Sequence, residues 1–235
     1  MLLKGKNVSR ETIYANKNIK RIVIKDSFKD SIVPYMDKRG IKYERIKDEL
    51  FNKLYGNSSQ GIVVERDDYE YANFDECIKD VNDKSLCLIL DNLEDPQNLG
   101  NIIRSFDALG GSFIIIPKNH SIEVNETVAK VSSGAYNYVK ICQVTNLNTS
   151  IKKLKEKGYW IMGTDMKGDI SYDEVRVDMP IGLVIGSEGF GMSKLVKDNC
   201  DFLLRIPMVG KINCLNASIS AAIVMSDIQS RRRKL

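Results

Sequence analysis

Beyond residue 84 the chain alternates short apolar runs with amphipathic stretches, which predicts strands and helices in turn. Residues 86–90 are an unbroken apolar run, the pattern of a strand buried on both faces. Residues 98–109 instead set Ile102, Ile103, Phe106 and Leu109 on one helical face, and Gly110-Gly111 supplies the stop. Residues 113–116 predict the next strand, ended by Pro117. Helices follow at 126–132, 148–157 and 193–199, strands at 159–163, 181–185 and 202–206, and a long closing helix at 215–231. The first 64 residues repeat the alternation on a smaller scale. Helices are predicted at 8–15, 31–38 and 48–55, and strands at 21–24, 41–45 and 61–64. Both halves read as layered α/β sheets. Polar residues crowd 65–70 and 80–84 and mark a connector, with room for a short helix. The division is therefore a first domain at 1–66, a linker at 67–84 and a second domain at 85–235. Arg231-Arg232-Arg233-Lys234 reads as a short basic tail.

Composition narrows the class. The 235 residues are 43% hydrophobic and 28% charged, ordinary for a globular chain that buries its own core. The N-terminus has no apolar signal core, and the aliphatic run Ile114-Ile115-Ile116 is far too short to span a bilayer, so a cytoplasmic protein without a membrane partner is expected. Five cysteines without a C-x-x-C pair, and a single histidine, His120, argue against a metal site or a disulfide framework. Any histidine base would have to be His120. The net charge of +4 is unevenly placed: residues 1–62 hold 14 Lys/Arg against 7 Asp/Glu, a surplus of +7, and the remainder balances at −3. A basic first third suits either a polyanion partner or a merely solvated surface.

Three segments follow predicted strands, where α/β sheets place their ligand crevice. The first runs from Asp91 through Asn98 to Arg104. Asn98 fits a helix cap, and Arg104 sits close to the apolar face, as a surface residue or as a guanidinium fork for phosphate. The second, Gly186-Ser187-Glu188-Gly189-Phe190-Gly191, lets backbone approach a ligand closely. A dinucleotide-binding loop is its rival. That loop opens a domain and precedes a ribose-binding acid by about 20 residues; here the loop comes late and Ile206-Pro207 stands at that distance. The third, 206–218, leads into the small-residue start of the closing helix, where Asn213 or Asn216 would cap.

Together, in order and over residues 85–230, these segments resemble the three motifs of the SpoU/TrmH family of SPOUT RNA ribose methyltransferases. Asn98 with Arg104 resembles the first, Gly186-Ser187-Glu188-Gly189 the second, and Ile206-Pro207-Met208 through Leu215-Asn216-Ala217-Ser218 the third. Residues 1–64 resemble the family's L30e-like substrate-binding domain, with Gly5-Lys6-Asn7 and Gln60-Gly61-Ile62 as echoes, a pairing similar to the RlmB-type 23S rRNA guanosine methyltransferases. The resemblance implies an α/β fold with a parallel sheet and a C-terminal trefoil knot, S-adenosylmethionine as cofactor, and a homodimer. It implies a cofactor pocket at Gly186, Ile206 and Leu215, with Thr164 beside it. It implies that Arg104 activates the ribose 2′-hydroxyl while Asn98, Glu188 and Asn216 orient it. Cys214 departs from the family's usual serine. Because a guanidinium hardly deprotonates, Arg104 is expected to grip phosphate and stabilise a developing alkoxide.

Lys4, Lys6, Arg10 and Lys20 are the expected first contacts to RNA phosphates. Removing residues 1–70 is expected to raise the KM for RNA and leave cofactor affinity alone. A transfer-RNA substrate, a drug-resistance ribosomal methyltransferase and an inactive ribosome-associated RNA-binding protein remain alternatives.

Overall fold

A computed structural model describes residues 1–119, 121–211 and 214–234. His120 and Asn213 lie outside the described residues. In chain order the elements are β1 (Leu2–Lys4), α1 (Lys6–Ala15), β2 (Ile19–Lys25), α2 (Ile32–Arg39), β3 (Glu44–Ile46), α3 (Asp48–Tyr55), β4 (Ile62–Arg66) and α4 (Phe74–Cys77). Then come β5 (Leu86–Asp91), α5 (Pro96–Ala108), β6 (Phe113–Pro117), α6 (Glu126–Val131), β7 (Ile141–Val144), α7 (Leu147–Glu156), β8 (Trp160–Thr164) and β9 (Ile170–Ser171). The last are β10 (Ile181–Gly186), α8 (Lys194–Asp198), β11 (Phe202–Arg205) and α9 (Ala217–Arg232).

The chain divides into two compact units, Met1–Tyr69 with Val124–Tyr138, and Glu70–Glu123 with Val139–Leu235. The first unit is a mixed sheet in the order β1-β4-β2-β3, antiparallel except for the edge pair β2/β3. Strand β3 begins at Glu44, three residues later than expected. Gly40 ends α2 in the left-handed region at φ 67°, and the chain needs the following residues to turn back onto the sheet. Residues 124–138 belong to this unit through buried polar bonds. Arg66 is buried, stacks over the Tyr136 ring and donates to the Tyr136 hydroxyl at 3.1 Å and to Asn137 Oδ1 at 2.8 Å. Asn137 in turn donates to Thr12 Oγ1 at 3.2 Å.

The second unit is built on a parallel sheet in the order β7-β6-β5-β10-β8-β11-β9. Every residue of β5 is buried, as its unbroken apolar run demands. The middle of the segment expected as a linker is folded onto the second unit: Ala72 N donates to Ile141 O at 2.8 Å, and Phe74, Cys77 and Ile78 pack on the core around Phe113 and Tyr159. Strand β10 lies between β5 and β8, so the C-terminal ends of β5, β8 and β10 open side by side, where the sheet order reverses.

The expected basic tail is a correction. Arg231 and Arg232 lie in the last turn of α9, and Arg232 is buried. Its guanidinium donates to the carbonyls of Val177 at 2.8 Å, Lys84 at 2.7 Å and Met179 at 2.6 Å. Arg231 donates to Val175 O at 2.5 Å and pairs with Asp227 at 2.6 Å. Two members of the run are thus no tail but satisfy loop carbonyls that would otherwise be orphaned.

Candidate active site

The loop after β10 is a tight return in which Ser187 and Gly191 exchange backbone hydrogen bonds of 3.1 and 2.8 Å. Gly191 takes φ 67°. A Cβ on Gly186 would stand 2.2 Å from the Gly191 carbonyl carbon and 2.4 Å from Met192 N, so backbone occupies the space a side chain needs. The buried Asp91 carboxylate, at the end of β5, accepts from Ser193 N at 2.6 Å and holds the far side of the loop.

This loop brings the three sequence segments together. Glu188 Oε1 accepts from Asn98 Nδ2 at 3.0 Å, from Ala217 N at 3.4 Å and from Asn216 Nδ2. Asn216 Nδ2 also donates to Asn98 Oδ1 at 2.7 Å. Asn98 comes from the first turn of α5, where Asp95 rather than Asn98 is the cap, accepting from Gln97 N at 2.9 Å. Asn216 caps α9, its Oδ1 accepting from Ser218 N at 2.9 Å and Ile219 N at 3.3 Å.

Two clefts of about 370 Å³ each share one wall, Ser187 to Phe190, which holds Glu188. One is lined by Thr164, Gly186, Ile206, Met208, Cys214 and Leu215, so all four residues expected at a cofactor pocket border the same space. The other is lined by Asn92, Asp95, Asn98 and Phe190. Sequence reasoning missed Asp165 and Lys197 in the first cleft, paired at 2.6 Å. Burial pushes the Asp165 carboxyl up, but the Lys197 ammonium and the Lys167 amide outweigh it and hold it below its ordinary value. The rule that ligands gather at the C-terminal ends of parallel strands would have found Asp165, which follows β8 directly.

Arg104 is the exception. It lies six residues after Asn98, roughly 240° further round the α5 axis and about 9 Å along it, on the solvent side. It lines neither cleft and makes no hydrogen bond or ion pair among the described residues. The expectation that it sits close to the apolar face is corrected: Ile102, Ile103 and Phe106 are buried, and Arg104 points away from them.

Of the four basic residues expected at RNA, Arg10 and Lys6 both reach Asp30, Arg10 with two bonds of 2.7 and 2.9 Å and Lys6 at 3.2 Å. Burial pushes the Asp30 carboxyl up, but these cations and the Ile32 amide win and hold it at about 2. Lys20 pairs with Asp67, and Lys4 makes no ion pair among the described residues. No cluster of three or more metal-binding side chains and no helix long and apolar enough to cross a membrane occur among the described residues.

The SpoU rRNA methylase family model matches residues 85–226. A protein of Staphylococcus saprophyticus named for the TrmH family of tRNA/rRNA methyltransferases is 40% identical over 239 residues, covering 99% of this chain and 96% of that one. Among solved structures, the SpoU methyltransferase AviRb of Streptomyces viridochromogenes, in complex with its cofactor AdoMet, superposes with a TM-score of 0.84 at 20% identity, covering 100% of this chain and 91% of its own. An RNA 2′-O ribose methyltransferase superposes with a TM-score of 0.78 at 20% identity, over 100% of this chain and 89% of its own. Matched by the family model over most of its length, with a relative at this identity along nearly all of it, the chain belongs to the SpoU/TrmH family of RNA methyltransferases.

Proposed function

We propose that this S-adenosylmethionine-dependent RNA methyltransferase methylates a ribose 2′-hydroxyl, and that its target is a guanosine of 23S rRNA. The observation that carries the reaction is the shared wall: two clefts both lined by Ser187 to Phe190, with Glu188 in that wall and Asn98 bonded to it from the second cleft. A methyl donor in one and a nucleoside in the other would meet at that border. The first cleft suits the donor, because the tight Ser187–Gly191 return that only a glycine at 186 permits forms its wall, and Ile206, Met208 and Leu215 give an apolar lining. Bound there, the cofactor supplies an electrophilic methyl on a sulfonium, and the chain's residues must align the hydroxyl and ease loss of its proton.

Glu188 is the organiser. Its Oε1 is occupied by three donors, and its Oε2 accepts no hydrogen bond among the described residues, so Oε2 and the second Asn98 N–H face the ribose. The guanidinium of Arg104 grips the adjacent phosphate and stabilises oxygen charge as the proton leaves. Because Arg104 lines neither cleft of its own chain, we propose that the enzyme is a homodimer in which Arg104 serves the site of the partner subunit. We also assign to the C-terminal segment the family's trefoil knot, and to the first unit the L30e-like fold.

Ribose-methylation mapping of total RNA from cells with and without the gene tests the substrate. A mark lost from a large-subunit guanosine is expected, and a mark lost from transfer RNA instead overturns the target. Subunit mixing tests the arginine. Arg104→Ala and Glu188→Gln are each inactive alone, and an equal mixture that exchanges subunits regains about a quarter of wild-type activity when the residues act across a two-fold dimer. A mixture as inactive as its parents overturns the assignment across subunits.

A further inference from the structure

We propose that the segment from Tyr35 to Lys47, around the turn at Gly40 and along the outer strand β3, is the surface on which the first unit holds unpaired RNA. The inference rests on the reading that the chain acts on RNA, and it moves the contact away from Lys6 and Arg10. Those two cations share one carboxylate, Asp30, and Lys20 is paired with Asp67. A polyanion gains most from cations that have no such partner, since each releases a counterion only if it meets phosphate directly.

Unpartnered cations concentrate in 38–47. Lys38, Arg39, Lys42, Arg45 and Lys47 fall within ten residues, all exposed, and none makes an ion pair among the described residues. The one acid among these ten residues, Glu44, is taken by Arg21. The aromatics are placed as a nucleic acid requires. Arg39 lies over the Tyr35 ring with 5.3 Å to the centroid, and Tyr35 in turn meets Tyr14 edge-on at 4.8 Å. Arg45 lies over the Tyr43 ring at 5.7 Å, and the Tyr43 hydroxyl is held by Asp37 at 2.8 Å. Each guanidinium is thus backed by a ring on one side and open to solvent on the other, a plane on which an unpaired base can stack. Beside them, Ile22, Ile41, Lys42 and Tyr43, with the paired Lys20 and Arg21 at the margin, line a shallow groove of about 530 Å³. β3 is a sheet edge, so no further strand among the described residues covers this side.

The two kinds of contact predict separable effects, read by anisotropy of a labelled, mixed-sequence 15-nucleotide single-stranded RNA titrated with full-length protein over a range of KCl. The Lys38→Gln, Lys42→Gln, Lys47→Gln triple variant is expected to weaken binding about tenfold and to flatten the slope of log affinity against log salt by about 2, roughly 0.7 per lost phosphate contact. Arg39→Lys with Arg45→Lys keeps the charge and loses the planes; it is expected to weaken binding about fivefold at unchanged slope. Lys4→Gln with Lys6→Gln is expected to change little. Wild-type affinity and slope in the triple variant, or the whole loss appearing in the Lys4/Lys6 variant, overturns the proposal. Methyl incorporation into total RNA by the wild-type protein is measured alongside. Its absence refutes the activity, whereas its presence with an unaffected triple variant refutes only this surface.

Discussion

Asn216 has no hydrogen-bonding capacity to spare. Both hydrogens of its amide are used, on Asn98 and Glu188, and its oxygen caps α9, so it braces the site and leaves substrate to its neighbours. The resemblance to the family's motifs grouped Asn98, Glu188 and Asn216, yet a linear sequence carries no information on which member retains a free donor. The spacing did carry one thing that the reading passed over: six positions on a helix turn Arg104 about 240° away from Asn98. Cys214 is similarly clarified: it is exposed at the rim of the first cleft, whereas Cys87 and Cys142 are buried with their thiols pushed up, and burial pushes Cys200 up to about 12. Iodoacetamide near pH 8 should therefore alkylate Cys214 before the others, and S-adenosylhomocysteine should protect it. Peptide mass mapping that finds equal labelling with and without the ligand would contradict a cofactor at this rim. Asp30 allows a pH prediction. Its folded value near 2 lies below the ordinary 3.8, so its ion pairs stabilise the fold fully above about pH 4 and cease to as pH falls towards 2. The part of that stability owed to Asp30 is on the order of 1–2 kcal/mol after solvent screening. Asp30→Asn should remove it, and acid titrations of the two proteins followed by circular dichroism should converge below pH 2; a constant offset down to that pH would exclude Asp30 as the source.

Among the elements, those that a strong period or an unbroken apolar run specifies were the readable ones: β5, β6, β10, α5, α7 and α9 were all predicted within two residues of their observed ends. Strands β1, β7 and β9, of three, four and two residues, were not, because so short a stretch shows no period and owes its structure to the neighbour it pairs with. The turn after β10 shows how tightly one element limits another. Gly186→Ala should force the return at Gly191 open and weaken cofactor binding in calorimetry roughly tenfold or more with the fold intact. Unchanged affinity would show that the turn gives way elsewhere. The end of α9 makes a second case. Arg232→Ala would strand the carbonyls of Lys84, Val177 and Met179, a loss of about 3 kcal/mol. Scanning calorimetry should then record a Tm lower by roughly 6–12 °C. A drop within about 2 °C would mean that water replaces the guanidinium without cost.

At the scale of the whole molecule, the α/β class and the parallel sheet were legible, because alternation of element types is a property of the chain as written. The membership of residues 124–138 was not, since continuity favours contiguous domains and only the buried bonds of Arg66, Tyr136 and Asn137 reveal otherwise. This revises the outcome expected of a truncation. Without residues 1–69, Val128, Ala129 and Tyr136 lose the partners that bury them and Asn137 loses Arg66 and Thr12. The shortened protein should aggregate or melt early in size-exclusion and thermal assays. A monodisperse product that differs from the parent only in its KM for RNA would restore the simpler view.

The same interleaving sets an order of events during synthesis. The first unit needs Tyr136 and Asn137 to fill its interior, so it cannot complete itself when residue 69 leaves the ribosome but must wait 69 residues more, to 138. At bacterial elongation speeds that wait is roughly 3–14 s, during which β5 and β6 have already emerged. The amino-terminal part of this protein is therefore made first and finished late.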